Sequence, residues 1–394
     1  MKKVKSLFAV LMMALAIVLF PKGVMAAEQI PVTVVDDITD IQNVSATVIE
    51  VGTGEYCNTV QFTLDKPAYV CVSAYSNVMA RTWTRLGDIK EFGVYSDAAC
   101  SNLVLGDEVE RVAGNEQKSK YFCMDAGTYY VQFAKGKGDS YNDESFGEFR
   151  LTVAAEYLNL TATKNGSWNR AAKISTDKKV TSLLSTTTRA NYFKFTVAAN
   201  TTAKVNVFLE NSFGADKLPL SNTGVTVYRA NHNVLERVNI PNNYYELADT
   251  SSLTLSQGTY YIGITGDTSY GVYYWDKGTP QENKYHNMGV VSLKVTTVKK
   301  AAVSKLTNVK GKKAKVTYKK VAGAKGYEVQ YSTSNKFKNG VKTKKAGAGT
   351  TKVTLTKLNK NKKYYVRVRA YKYDENGNKV YGAWSNTKNV KINK

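Results

Sequence analysis

Residues able to do covalent or metal chemistry are few and scattered in this chain of 394 residues. Histidine occurs twice, at His232 and His286, so an imidazole-based hydrolase or a histidine-rich zinc site has little to draw on. Gly138-Asp139-Ser140 could present a nucleophilic serine, but no helical pattern follows it and no histidine shares its neighbourhood, which leaves the hydroxyl without a base. Neither Gly-x-Ser-x-Gly, His-Glu-x-x-His nor a phosphate-cradling glycine loop occurs. The chain therefore reads as a protein that is not an enzyme and takes no cofactor or metal. Carboxylate pairs are left open, since any two of the 32 acids could meet in space.

The four cysteines, Cys57, Cys71, Cys100 and Cys123, are gathered in one stretch. An even count in an exported chain predicts two disulfides, with three possible connectivities, the alternative being four reduced, buried cysteines; no paired Cys-x-x-Cys spacing favours a metal instead. Val60 to Leu64 and Tyr69 to Ala74 read as a hairpin around Asp65-Lys66-Pro67-Ala68, with Cys71 opposite Phe62. Cys57 then falls on the other face, roughly 17 Å along at ~3.4 Å per residue. A Cys57–Cys71 bridge is disfavoured on that geometry; the pairing is otherwise open.

Export is expected from the first 26 residues. Lys2, Lys3 and Lys5 precede an apolar run from Leu7 to Phe20, and Val24-Met25-Ala26 offers the small residues of a cleavage site, the pattern of a secretory signal. No cysteine follows for lipid attachment, no second long apolar run follows for a membrane helix, and the end at Lys394 shows no sorting tail. The expectation is a secreted, extracellular protein associated with the cell wall through non-covalent contacts, without membrane insertion after cleavage.

Charge divides the remainder. The net charge is +23, yet from residue 299 onward 27 lysines and arginines face only Glu328, Asp374 and Glu375, whereas residues 27–155 are acidic and 156–298 mildly basic. With 27 tyrosines, six prolines and recurrent valine and threonine, the composition favours strands. Together these give an all-β chain: a signal at 1–26, an acidic sandwich with the cysteines at 27–155, a second sandwich at 156–298, and a basic sandwich at 299–394.

The first two sandwiches are copies of one plan. Phe62-Thr63-Leu64 matches Phe195-Thr196-Val197, Val94-Tyr95 matches Val227-Tyr228, Gly127-Thr128-Tyr129-Tyr130-Val131 matches Gly258-Thr259-Tyr260-Tyr261-Ile262, and Leu151-Thr152-Val153 matches Leu293-Lys294-Val295. The order and near-constant spacing place an insertion of about eleven residues before the last strand of the second copy, around Tyr270-Gly271-Val272-Tyr273-Tyr274-Trp275-Asp276-Lys277-Gly278. With Tyr192-Phe193-Lys194-Phe195-Thr196-Val197 and the two Gly-Thr-Tyr-Tyr segments, the copies resemble the bacterial pre-peptidase C-terminal domains. That resemblance implies jelly-roll-like, non-catalytic accessory modules, some of which bind calcium. Asp139-Ser140-Tyr141-Asn142-Asp143-Glu144 lacks a ladder of calcium ligands and reads as a solvated loop.

The basic region resembles a fibronectin type III domain through Val316-Thr317-Tyr318, Gly326 to Ser332, Leu358, Tyr364-x-Val366-x-Val368-x-Ala370 and Gly382-x-Trp384-Ser385. The interval from Leu358 to Tyr364 fits a tyrosine corner, and Tyr318 stands where the family commonly has a core tryptophan. This lysine-rich form is similar to those on surface and secreted proteins of Gram-positive anaerobes. No Arg-Gly-Asp tripeptide occurs, so integrin-type adhesion is not implied.

Two binding surfaces are expected. Lys312, Lys313, Lys315, Lys319, Lys320, Lys342, Lys344, Lys345, Lys360, Lys362 and Lys363 would attract polyanions by counterion release and steering. In an exported protein these would be teichoic acid, peptidoglycan-linked polymers or acidic host glycans; nucleic acid is not expected, because no recognition helix or stacking motif accompanies the charge. Lysine also blunts sheet edges and aids solubility. Tyr270, Tyr273, Tyr274 and Trp275 form the candidate surface for a neutral glycan or peptide, set against a hairpin packed on its own sandwich. Trp384 is expected to be packed, and Trp83, between Arg81 and Arg85, to be core or contact. The expected function is adhesion or ligand binding at the cell surface. The alternatives are an accessory subunit of a secreted glycan- or protein-degrading system, and a spacer. Oligomeric state is not legible.

Overall fold

The computed structural model describes residues 27–393 apart from 39–40, 42, 52–57, 77–90, 105–109, 112–116, 135–146, 212–223, 240–247, 266–271, 277–278 and 284–288. The leader at 1–26, Cys57, Trp83, the segment 138–144, Tyr270 and His286 thus lie outside the described residues. Among those described, every element is a strand except one 3-10 turn at Trp168–Arg170.

Three apolar cores follow one another along the chain. The first spans Ile30 to Ala155, the second Ala162 to Val295, and the third Val298 to Ile392. Period-two alternation builds each of them: in Ala190–Val197, for instance, Asn191, Phe193, Phe195 and Val197 are buried while Tyr192, Lys194 and Thr196 face outward.

The first two sandwiches share a topology. One sheet of the first runs Glu28–Gln29, Asn58–Leu64, Gly127–Ala134, Glu91–Tyr95, Glu110–Arg111; the matching sheet of the second runs Ala172–Lys173, Ala190–Val197, Gly258–Thr265, Gly224–Arg229, Val234–Asn239. In both, only the first pairing is parallel. The motif anchors do the same work in each copy: Phe62 stacks on Tyr129 at 5.6 Å and 25°, and Phe195 on Tyr260 at 5.9 Å and 29°. Each tyrosine then donates its phenol to a carbonyl four residues upstream, Asp125 or Ser256. The inserted segment of the second copy forms a separate hairpin, Val272–Asp276 paired with Thr279–Asn283.

One local expectation is overturned. Asn58–Leu64 and Ala68–Ser76 are not a hairpin: the former pairs within one sheet and the latter lies in the other, between Gly147–Tyr157 and Gln117–Met124. The Pro67 turn carries the chain across the sandwich, so Phe62 and Leu64 meet Val70 and Val72 in one core. Asp65-Lys66-Pro67 also lacks the glycine or asparagine that a two-residue hairpin turn requires. Cys71 consequently lies opposite Tyr121 and Ala154, not Phe62. The spacing argument against a Cys57–Cys71 bridge lapses with it.

Both junctions are packed. Ile38, Tyr69, Cys71, Cys123 and Ala154 bury against Leu183 and Val290 of the second sandwich. Beside them the Asp125 carboxylate oxygen Oδ2 accepts the hydroxyls of Ser185, Thr187 and Thr188 at 2.5, 2.7 and 2.8 Å, and the Thr186 N–H donates to the Cys123 carbonyl. The second junction has no linker, because the strand Gly289–Lys299 ends with Val298 inside the third core. Gly382 packs so closely there that a Cβ would stand 2.9 Å from the Lys299 carbonyl oxygen.

The third sandwich sets Val303–Val309, Lys313–Tyr318 and Lys352–Leu355 against Lys342–Gly347, Gly326–Ser332, Lys363–Tyr373 and Lys379–Tyr381, with Lys388–Lys391 pairing to Lys363–Tyr373. Tyr318 fills the core beside Tyr327, ring centroids 4.8 Å apart. The Asn359 N–H donates to the Tyr364 phenol at 3.0 Å, the tie expected of a tyrosine corner.

Candidate functional site

All eleven singled-out lysines of the third sandwich, Lys312, Lys313, Lys315, Lys319, Lys320, Lys342, Lys344, Lys345, Lys360, Lys362 and Lys363, are exposed. They do not form one patch. Lys313 and Lys315 alternate with buried Ala314, Val316 and Tyr318, and register sets them on the outer face of the three-stranded sheet with Thr307 and Thr354. Lys305 and Lys352 flank Thr317 on that same face. Lys342, Lys344 and Lys345 occupy an edge strand, where the Lys344 ammonium reaches across to the Thr354 carbonyl at 2.9 Å. Lys344 thus covers an open edge between the sheets.

The acids of this sandwich are all engaged. Glu328 accepts Arg369 Nε and Nη2 at 2.9 and 2.6 Å and the Tyr381 phenol at 3.0 Å. Burial opposes its charge, but these donors outweigh it and hold the carboxyl below the usual range. Asp374 pairs with Lys204 at 2.7 Å and Glu375 with Lys294, both in the second sandwich, while Lys372 pairs with Asp177 there at 2.8 Å. Among its described residues this sandwich has no further side-chain carboxylate to oppose the outward lysines.

Trp384 is half-buried rather than a core residue. The Arg367 and Arg369 guanidinium carbons stand 4.5 and 4.4 Å from its ring centroid, and Arg367 also covers Phe337 at 4.2 Å while bonding Gln330 through two nitrogens. Such a ladder fixes two guanidinium groups by cation–π contact and hydrogen bonding together.

Cys71 and Cys123 are buried and unbridged, while Cys57 lies outside the described residues. Cys71 lies opposite Tyr121 and Cys123 opposite Tyr69, so the two are diagonal neighbours, typically ~7–8 Å apart between Cα atoms and outside disulfide geometry. Burial pushes the Cys71 thiol up to about 12 and raises Cys123 well above its ordinary value, so neither is a ready nucleophile. The Cys100 sulfur stands 4.0 Å from the Thr59 hydroxyl. Of the expected aromatic surface, Tyr273, Tyr274 and Trp275 fall on the hairpin strand, in register with Glu282, Gln281 and Pro280.

A site the sequence reading passed over lies on the outer face of the second sandwich. Trp168 meets Tyr192 at 4.4 Å, Tyr228 at 4.7 Å, His232 at 4.2 Å and Tyr261 at 5.6 Å between ring centroids. Tyr192 and Gly263 are directly opposed, as are Tyr261 and Tyr228. A Cβ at Gly263 would stand 3.2 Å from both the Tyr192 and the Tyr228 rings. The Tyr192 N–H donates to the Asn165 carbonyl and the buried Asn165 side-chain amide donates back to the Tyr192 carbonyl, so the segment carrying Trp168 is pinned to the sheet edge. The outward tyrosines were legible from period two. Trp168 was not, because its partners lie 24 to 93 residues ahead in the chain.

Comparison with known proteins agrees with this architecture in one region. Residues 301–383 match the fibronectin type III domain family. No curated protein matches the chain. Among solved structures the chain is similar to a computationally redesigned β-sandwich protein (22% identity, 23% of this chain and 84% of that one, TM-score 0.19). It is also similar to the sixth fibronectin type III domain of human fibronectin type III domain containing protein 3 (15%, 24% and 86%, 0.20). A third is the pre-peptidase C-terminal domain of a collagenase from Bacillus anthracis (14%, 32% and 94%, 0.22). The protein is thus an all-β chain of tandem sandwiches with a fibronectin type III domain at residues 301–383.

Proposed function

We propose that this is an exported, non-catalytic binding or adhesion protein of the cell surface, whose basic C-terminal sandwich associates with anionic wall polymers while the paired sandwiches present a surface for a glycan or protein ligand. The observation that carries this reading is the disposition of charge in the third sandwich. Its outward lysines are exposed, and its three acids are consumed, one within the domain and two at the junction with the second sandwich. An unopposed cationic surface attracts polyanions through released counterions, with affinity that falls as salt rises. The predominance of lysine suits a diffuse polymer better than a bidentate site.

The test is binding of the purified protein to a polyol-phosphate wall polymer across a salt series, alongside a Lys313→Glu/Lys315→Glu/Lys352→Glu variant. The expected result is weakening with salt and a shallower salt dependence in the variant, by roughly one ion per lysine removed. Salt-independent binding, or a variant indistinguishable from the parent, would remove the basis of the reading.

A further inference from the structure

We infer that the aromatic cluster around Trp168 is a platform for an acidic glycan, its rings stacking on pyranose faces and its cationic rim pairing with sugar carboxylates. The inference rests on the reading of the chain as a surface-binding protein and gives that reading a site and a ligand class.

Five rings from separate segments converge here although the core does not require them. Tyr192, Tyr228, Tyr261 and Trp168 are partly exposed and His232 is exposed, whereas the core aromatics Phe193 and Phe195 of the same sheet are buried. The first sandwich shares two of these tyrosines but not the rest of the cluster. At its matching positions it has Thr59, Tyr95 and Tyr130, and on the same face Leu103 and Tyr95 cover Gly93, where a Cβ would meet both side chains at 3.0 Å. An indole with four ring neighbours is thus an addition to the shared plan.

His232 adds a second sign. It adopts φ of 63°, a left-handed conformation that histidine, like asparagine and aspartate, takes more readily than most residues, in a turn closed by His232 N–H to the Arg229 carbonyl and Arg229 N–H to the Asn233 carbonyl. The turn holds the imidazole 4.2 Å from the indole at 22°, with its edge on Tyr261 at 5.1 Å. The rings pack face to face and edge to face on one another, so the indole braces the cluster, and exposed His232 with the partly exposed tyrosines offers the apolar ring surface and polar tips that a sugar ring can meet.

Charge selects the class of sugar. Ala172–Lys173, Ala190–Val197, Gly258–Thr265 and Gly224–Arg229 contain no aspartate or glutamate. On the remaining strand Glu236 is held by the Ser251 N–H and hydroxyl at 2.6 and 2.8 Å. Against this, Lys194 is directly opposite Tyr261, Lys173 is beside Lys194, Arg237 is opposite Thr226, and exposed Arg170 follows Trp168 in the same turn. A neutral glycan would leave this rim unused, and a polyphosphate would leave the rings unused. A carboxylated polysaccharide uses both.

The test is titration of the purified protein with oligogalacturonate, a neutral cello-oligosaccharide and inorganic polyphosphate, read by calorimetry and tryptophan fluorescence. Oligogalacturonate should bind, and Trp168→Ala should weaken it roughly tenfold or more. His232→Ala and Lys194→Gln, both at outward positions, should each weaken it several-fold, with Lys194→Gln also reducing its salt dependence; they keep the test valid if Trp168→Ala fails to fold. Polyphosphate binding should be unchanged in all three variants, so loss of polyphosphate binding by the parent would count against the basic sandwich and not against this site. The inference is overturned if oligogalacturonate does not bind, if the cello-oligosaccharide binds equally well, or if His232→Ala and Lys194→Gln leave oligogalacturonate affinity as it was.

Discussion

The first and second sandwiches share sheet order, the parallel opening pair and the inward Phe–Tyr stack, yet the second adds Trp168, Tyr192 and His232 to an outer face that otherwise keeps two matching tyrosines. In the first, Gly93 lies beneath Leu103 and Tyr95; in the second, Gly263 lies beneath rings that converge on Trp168. Inward positions are tied to one another across the core and change together or not at all. Outward positions answer only to solvent and ligand, so a duplicated fold is free to differentiate there. The third sandwich extends the contrast, since its outward face carries lysine and an arginine–tryptophan ladder with no free acid.

The comparison can be broken most severely at its shared core. Phe62→Ala and Phe195→Ala should each destabilise their sandwich by about 3–5 kcal/mol, to similar extents, as read from denaturant melts. A large cost in one copy and a small one in the other would deny that the two stacks are equivalent. Asp125→Ala comes next. It removes the acceptor of three hydroxyls at the first junction and should cost about 1–3 kcal/mol, measurable as faster amide exchange across Leu183 to Val290.

Asp374 sharpens the contrast between the two junctions. Burial alone would raise its carboxyl, but the Lys204 ammonium and the N–H groups of Asn378 and Asn376 prevail and hold it below the ordinary value. A folded value below the unfolded one stabilises above the unfolded pKa and loses that contribution as pH falls through the folded value. The second junction should therefore loosen on acidification below the normal carboxylate range, and Asp374→Asn should flatten that dependence in thermal melts followed against pH. The smallest effect is expected at Lys344→Ala, an exposed edge lysine bonded to one carbonyl: a loss of stability within about 0.5 kcal/mol. A larger loss would make the edge cover a structural necessity.

The repeated anchors, the tyrosine corner and the charge division were legible because each depends on residues near in sequence or on a fixed period. The Pro67 turn was misread because hydrophobic alternation does not say which sheet a strand joins. Cys71 and Cys123 illustrate the limit of counting: an even number of cysteines says nothing of which face each takes, whereas strand register sets these two diagonally, against a direct bridge between them, in a buried seam with Leu183 and Val290. Trp168 depends on a tertiary contact between a 3-10 turn and three strands that no local pattern encodes. The hairpin at Val272–Asp276, by contrast, was visible as a break in the repeat offset.

The central claim is a division of labour, with diffuse cationic attachment in the third sandwich and ring-based recognition in the second. Its most direct test is co-sedimentation of the purified protein with Gram-positive cell wall and with an insoluble carboxylated polysaccharide, at low and at high salt. Binding to wall that disappears at high salt, together with polysaccharide binding that largely survives it, is the predicted result. Equal salt sensitivity on both, or binding to neither, would contradict the account.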